Sequence, residues 1–279
     1  MIIKTIKKIS DKIGLWYFNS KKEISKRTNP PYYPNHNEII IDITYSCNLK
    51  CIKCARSCRY IPNNDNISLD QIRKFIQESI DKKRKWKKIN LEGGEPSLHP
   101  QFFEILNLLR EYKNKYSQNT IIQLNTNGYG EKVKNILSQV NSNIKIFNSQ
   151  KTSVHHDDFM SFNLAPIDFN EYQNIDFTIA CYHTTFYGIA LNKYGYYHCP
   201  QSAGIDRVIG KDIGFKKLPD YDEKMKYQIK NLCKYCGFFI DNNREKLRIR
   251  KIQTKEYISP TWVNYLENYN EEVANLIEY

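Results

Sequence analysis

The chain has 279 residues, 41% of them hydrophobic, with 21 tyrosines and 13 phenylalanines, so it can bury a sizeable core and is not a disordered polymer except at its ends. Its formal net charge is +12. Half of that excess lies in the first 36 residues, where Lys4, Lys7, Lys8, Lys12, Lys21, Lys22, Lys26 and Arg27 face only Asp11 and Glu23. No stretch approaches the ~18 apolar residues of a membrane span, and the early lysines interrupt any secretory apolar core. A cytoplasmic protein is expected, in which eight cysteines are metal ligands or free thiols and not four disulfides.

Four regions follow in order. Residues 1–36 are a basic, helix-like lead that ends in Asn29-Pro30-Pro31-Tyr32-Tyr33-Pro34. Its Ile2, Ile6, Ile9 and Ile13 recur at helical spacing, which suits docking on the rest of the fold or lying on an anionic membrane surface. Residues 37–174 alternate strand and helix. Glu38 to Thr44 is a β-branched run and so a strand. Ser68-Leu69-Asp70-Gln71 has the form of a capping box, with Ile72, Ile76 and Ile80 following. Lys88 to Glu92 is a second strand, Phe102 to Tyr112 an amphipathic helix, and Thr120 to Asn125 a third strand. Glu131 to Val140 is a helix and Asn143 to Phe147 a fourth strand. Residues 175–245 hold the other four cysteines, and residues 246–279 form a tail with a helix near Trp262 to Ile277. A second basic run, Arg244 to Lys251, reads most simply as solvated surface, although basic patches also attract phosphates.

Strand–helix alternation with short links predicts a parallel sheet with helices outside. The unusual residues fall directly after strands. Cys47, Cys51, Cys54 and Cys58 follow the first, Gly93-Gly94-Glu95-Pro96 the second, and Thr126-Asn127-Gly128 the third. Strand C-termini share one face of such a sheet, so these three loops are expected around one cavity. From the C-x3-C-x2-C spacing alone, zinc and iron–sulfur are equally good readings, with Cys58 available as a fourth ligand.

In this order the three loops resemble the radical S-adenosylmethionine (radical SAM) superfamily over residues 38–180. The resemblance implies a [4Fe–4S] cluster held by Cys47, Cys51 and Cys54. Its fourth iron would be free to bind S-adenosylmethionine for cleavage to a 5′-deoxyadenosyl radical. Cys58 is then a neighbour, and Tyr45 flanks the loop as in the family. Gly93, Gly94 and Glu95 are the implied contacts to the methionine end of the cofactor. Asn125, Thr126, Asn127, Asn148 and Ser149 are further candidates for its ribose or carboxylate. An Asn-Gly turn capped by its own side chains is the plainer reading of the third loop. His155-His156-Asp157-Asp158 reads as a solvated loop, because adjacent side chains point apart on extended backbone.

Cys181, Cys199, Cys233 and Cys236 form a second set. A hairpin turning near Asn192 to Gly195 separates the first two, and the last two are a C-x2-C pair. Zinc or a fully ligated iron–sulfur cluster suits four cysteines. Beside a radical SAM domain, the order resembles the auxiliary-cluster module called twitch, and its cysteine pattern is similar to that of 2-deoxy-scyllo-inosamine dehydrogenases of aminocyclitol biosynthesis. The fold implied is α/β: a partial (β/α)6-type radical SAM barrel with a small C-terminal α+β auxiliary-cluster (twitch) domain.

The function implied is hydrogen abstraction from a polyol, amino sugar or saccharide precursor, with oxidation or remodelling of that small molecule. A second [4Fe–4S] cluster would take up an electron, which zinc cannot do. An external donor such as flavodoxin or ferredoxin is implied, and no nucleic acid is expected. Rival readings are a peptide maturase of the same superfamily and a zinc-stapled nucleic-acid-binding module. Catalytic side chains are not assigned. Tyr182, His183, Asp206 and Arg207 are candidates only because they neighbour cluster cysteines, with Ala203 to Arg207 read as a substrate-side loop.

Overall fold

The computed structural model describes residues 31–62, 64–156, 162–242, 258–269 and 276–279. Residues 1–30 of the lead, expected to be helical, the basic run at 244–251 and the acidic half of the His-His-Asp-Asp segment lie outside the described residues. In chain order the elements are β1 (Glu38–Thr44), α1 (Leu69–Asp81), β2 (Lys88–Gly93), α2 (Phe102–Tyr116), β3 (Ile121–Thr126), α3 (Glu131–Leu137) and β4 (Lys145–Asn148). Then come α4 (Tyr182–Phe186), β5 (Ile189–Asn192), β6 (Gly195–Tyr197), α5 (Pro200–Ile209), α6 (Lys226–Leu232), α7 (Gly237–Asn242) and α8 (Pro260–Glu267). The tail helix expected near Trp262 to Ile277 is α8, which begins at Pro260 and ends at Glu267.

One six-stranded sheet runs β4-β3-β2-β1-β5-β6. All neighbours are parallel except β5 and β6. This is the mainly parallel sheet of a partial barrel. The hairpin turns at Lys193–Tyr194, where it was expected. It extends the main sheet, however, because Ile39, Ile40 and Ile41 pair with Ile189, Ala190 and Leu191.

The two faces of the sheet differ in chemistry. Ile39, Ile41, Ile43, Ile89, Leu91, Ile122, Leu124, Ile189 and Leu191 point to one side and pack on Ile72 and Phe75 of α1 and Ile105, Leu106 and Leu109 of α2. Burying side chains of this size stabilises by about 1.5–3 kcal/mol each. The capping box of α1 forms as read. Gln71 N–H donates to Ser68 Oγ at 3.1 Å, and Ser68 N–H donates to Gln71 Oε1 at 2.9 Å. At its other end Trp86 Nε1 donates to Ser79 Oγ at 3.0 Å. The alternate strand positions include Asp42, Thr44, Asn90, Glu92, Gln123, Asn125 and Asn192 beside Ile40 and Ala190, so strand periodicity turns a largely polar set to the other, inner face. At the β5–β6 end that face is covered by α5, α6 and α8, where Ala190 and Tyr197 meet Ala203, Ile205, Val208, Leu232 and Trp262.

The turn into α2 makes stability pH-dependent. His99 is buried and uses both ring nitrogens: Nε2 donates to the Ile67 carbonyl at 2.9 Å, and Nδ1 accepts from Gln101 N–H at 2.9 Å. Burial lowers its pKa below the ordinary histidine value. The unfolded chain therefore takes up this proton first, and the contribution is present above about pH 6.5 and lost as pH falls below it. The urea midpoint is expected to drop between pH 7.5 and 5.5, and to drop less in His99→Leu. An equal pH slope in both proteins would remove His99 as a source.

Candidate active site

The cysteine loop is fastened to the end of β2. Gly94 N–H donates to the Thr44 carbonyl and Glu95 N–H to the Ser46 carbonyl, both at 2.7 Å. A Cβ on Gly94 would lie 2.2 Å from the Ser46 oxygen, and one on Gly93, at φ +128°, would lie 2.0 Å from the Thr44 oxygen. The glycines thus let two backbone segments touch, a role that sequence reasoning had given to cofactor approach.

Backbone N–H groups are aimed at the thiols of the first set. Leu49 N–H donates to Cys47 Sγ at 3.4 Å, that of His156 serves Cys51, and those of Arg56 and Cys58 serve Cys54. Such donors stabilise thiolates, the form that binds metal. Burial pushes the Cys47 thiol up to about 12. Cys54 moves the other way, down to about 6, chiefly because the Cys58 side chain hydrogen-bonds to it. Cys58 is correspondingly raised and also reaches the Arg56 carbonyl at 3.9 Å. Cys58 is thus a hydrogen-bonding neighbour of Cys54. The His155–His156 segment, read as a solvated loop, closes the same site: Lys50 N–H donates to the Val154 carbonyl at 2.7 Å.

Glu95 ties the second loop to the third. Its fully buried carboxylate accepts from Ser97 N–H and Oγ, from Thr126 Oγ1 and from Asn127 N–H at 2.7–3.2 Å. Asn127 Nδ2 donates to Asn48 Oδ1 at 2.8 Å, and its own Oδ1 accepts from Tyr129 N–H at 2.7 Å, the self-capped turn. Ser149 Oγ donates to the Thr126 carbonyl at 3.1 Å, and Asn148 Oδ1 accepts from Gln150 N–H at 2.8 Å. These candidates gather at one end of the sheet. Their side chains hold the loops, which leaves loop backbone to meet a ligand. Glu95→Gln turns an acceptor into a donor facing donors. It is expected to cost about 2–3 kcal/mol, read as a lower urea midpoint at unchanged m-value.

Asn125 points elsewhere, into an inner-face cluster that sequence reasoning missed. Its Nδ2 donates to Glu92 and its Oδ1 accepts from Gln123 Nε2 at 2.6 Å. Arg56, reaching in from the cysteine loop, bridges Asp42 at 3.1 Å and Glu92 at 2.8 Å. Tyr45 Oη donates to Asp42 at 3.3 Å and accepts from Asn192 Nδ2 at 2.9 Å. Asn90 Oδ1, on the same face, is a buried acceptor with no donor among the described residues. The available signal in the sequence is a carboxylate near the end of each of two otherwise apolar strands, Asp42 and Glu92.

The second set is also gathered. Cys181, Cys199, Cys233 and Cys236 are all buried and line one cavity with His183, Thr184, His198 and Gln201. Gln201 Oε1 and His198 Nδ1 are buried without partners among the described residues, as befits groups that face something other than protein. Burial pushes the Cys181 thiol up to about 12 and His198 down to about 3, so the imidazole is neutral. Among the described residues no three cysteine, histidine or acidic side chains converge as a single metal ion requires.

A helix joins the two sites. Ala203 to Arg207, expected as a loop, lies within α5. Gly204 lets that helix touch the cysteine loop, since a Cβ there would be 2.3 Å from the Ala55 carbonyl oxygen. Arg207 is a buried clamp, donating to Asp65, Arg56 O and Pro62 O. Asp206 accepts from Tyr197 Oη and from Lys211 and Ile213 N–H at 3.0 Å. Both residues are structural here. Tyr182 and His183 stand beside Cys181, with the His183 ring stacked between Tyr187 and Phe238.

Residues 41–159 match the radical SAM superfamily. A probable GTP 3′,8-cyclase of Methanococcus maripaludis is 31% identical over 117 residues, 40% of this chain and 37% of the relative. One of Methanococcus aeolicus is 34% identical over 107 residues, 36% and 34% of the two chains. The chain thus spans about a third of the length of these curated relatives. Among solved structures, BtrN in complex with AdoMet and 2-DOIA aligns over 81% of this chain and 100% of its own at 14% identity and a TM-score of 0.46. SuiB of Streptococcus suis bound to precursor peptide SuiA aligns over 82% and 76% at 12% identity and a TM-score of 0.36. No helix among the described residues is long and apolar enough to cross a membrane.

Proposed function

The chain belongs to the radical SAM superfamily through residues 41–159, and on that premise we propose that it oxidises a polyol, amino sugar or related small molecule by hydrogen-atom abstraction. The carrying observation is the meeting of the three loops, with backbone donors on Cys47, Cys51 and Cys54. These thiols suit a [4Fe–4S] cluster, which when bound supplies the electron that cleaves S-adenosylmethionine to methionine and a 5′-deoxyadenosyl radical. The loop backbone around Gly93, Gly94, Thr126 and Asn127 would bind the cofactor.

Removing a hydrogen atom from a carbinol leaves one electron and one proton to be lost before a ketone forms. Cys181, Cys199, Cys233 and Cys236, buried around one cavity with orphaned polar atoms, would hold a second cluster that takes this electron. The inner-face set of Asp42, Glu92, Asn90 and Asn125 would orient the substrate. Its acceptors suit hydroxyl or ammonium donors. Two carboxylates around Arg56 are a poor setting for a triphosphate, which argues against transferring the nucleotide named for the cyclase relatives.

The test is anaerobic reconstitution of the full chain, beside a Cys47/Cys51/Cys54→Ala variant. About eight irons are expected to fall to about four in the variant. Dithionite and S-adenosylmethionine should yield 5′-deoxyadenosine only from the former. Zinc in place of iron, or no 5′-deoxyadenosine, would sink the proposal. A polyol and amino-sugar panel scored for ketone formation tests the substrate class.

A further inference from the structure

We infer that His198 is a positioning residue for the second metal centre, donating an Nε2–H···S hydrogen bond to the Cys233 sulfur and so raising the reduction potential of the cluster there. The inference rests on reading the four cysteines as an iron–sulfur site.

His198 has no exposed surface and stands between β6 and Cys199. Its backbone is fixed independently of its ring. His198 N–H donates to Gln228 Oε1 at 2.9 Å, while Gln228 Nε2 donates to the Tyr196 and Ile213 carbonyls at 2.9 and 2.7 Å. The ring's one hydrogen bond of ordinary length among the described residues is Nε2 to Cys233 Sγ at 3.5 Å, in range of a sulfur hydrogen bond, and the Gln228 side chain also acts on the ring. Nδ1 is buried with no hydrogen-bond partner among the described residues. A metal-bound sulfur accepts and cannot donate, so facing it selects the tautomer with hydrogen on Nε2. Donors to cluster sulfurs stabilise the more negatively charged reduced state and raise the potential. A higher potential suits a centre that must accept an electron from a substrate radical.

The test uses the full chain carrying Cys47/Cys51/Cys54→Ala, so that only the second cluster reports. Its potential is measured by redox titration followed by electron paramagnetic resonance, with His198 intact, His198→Leu and His198→Gln. The leucine variant is expected to titrate at lower potential. The glutamine variant, whose amide can still donate to sulfur, should recover part of the shift. Equal potentials in all three would overturn the inference, and so would equal lowering by leucine and glutamine. A second arm does not depend on the leucine variant loading iron. With ¹⁵N-labelled histidine, pulsed resonance of the reduced cluster should show a nitrogen coupling that disappears in His198→Gln, and its absence with His198 intact would overturn the inference. Failure of the Cys→Ala protein to hold any iron would instead overturn the reading of the site, and the inference with it.

Discussion

Gly94→Ala is expected to lower stability by about 3 kcal/mol, at the upper end of overpacking penalties, and to strip iron from the first cysteine site. The new methyl group would meet Ser46 O at 2.2 Å and Tyr45 O at 2.7 Å. Both are backbone atoms, so no side-chain rotation relieves the overlap. The loop must move off the end of β2, and the 2.7 Å bonds from Gly94 and Glu95 to Thr44 and Ser46 are the first to break. Cys47 begins one residue later, so the displacement reaches the first thiol directly.

A control separates this from general destabilisation. Gly188 lies at the opposite end of β1 at φ +91°, where a Cβ would meet Glu38 O at 2.3 Å. Gly188→Ala should destabilise comparably, with backbone strain added, yet its folded fraction should retain iron at Cys47, Cys51 and Cys54. Urea unfolding and iron per folded chain, measured on both variants, distinguish the two. Equal iron loss in Gly188→Ala would mean that loading follows stability and not the position of the loop.

The strands and the turn chemistry were legible because they are local. β1 spans Glu38 to Thr44 as read from its β-branched run, and the capping box at Ser68 forms as its four residues suggest. What sequence pattern could not supply is contact between distant segments. Pairing of β5 with β1 joins residues about 150 apart, and nothing in the hairpin states which edge it will take. The same holds for Glu95, which reads as a motif residue but acts as the acceptor for Thr126 and Asn127, 31 and 32 residues away in one loop.

α5 was misread for a more instructive reason. Its start and stop signals were present: Pro200 in the first turn, Ser202 bonding back to Cys199, and Gly210 closing the helix in the left-handed region. The loop reading rested on the segment following a cluster cysteine, and Gly204 in its middle, a residue that disfavours helix interiors, gave no signal against it. The cost of this glycine is accepted because the Ala55 carbonyl occupies the place of a side chain. The first cysteine set was legible for its spacing, whereas Asp42, Arg56 and Glu92 were hidden because their meeting depends on strand register.

Arg207→Ala should show how far the two cysteine sites depend on that helix contact. The guanidinium is 1% exposed and pairs with Asp65 at 2.8 Å. It also donates to the Arg56 and Pro62 carbonyls and lies 4.1 Å over the Tyr45 ring. Alanine leaves two carbonyls without this donor, leaves Asp65 with Tyr194 Oη at 2.8 Å but without its guanidinium, and opens a void against Tyr45. Breaking a buried pair from one side costs about 3–5 kcal/mol. Arg207→Lys should recover only a minor part, because one ammonium cannot span three acceptors that a planar fork reaches together. Since α5 starts at Cys199 and holds residues 55–62, iron should fall at both sites, unlike in Gly94→Ala. In a cycle with Asp65→Ala, the double variant should lose much less than the sum of the single losses. An additive cycle, or an unchanged urea midpoint in Arg207→Ala, would mean that this pair does not clamp the helix to the cysteine loop.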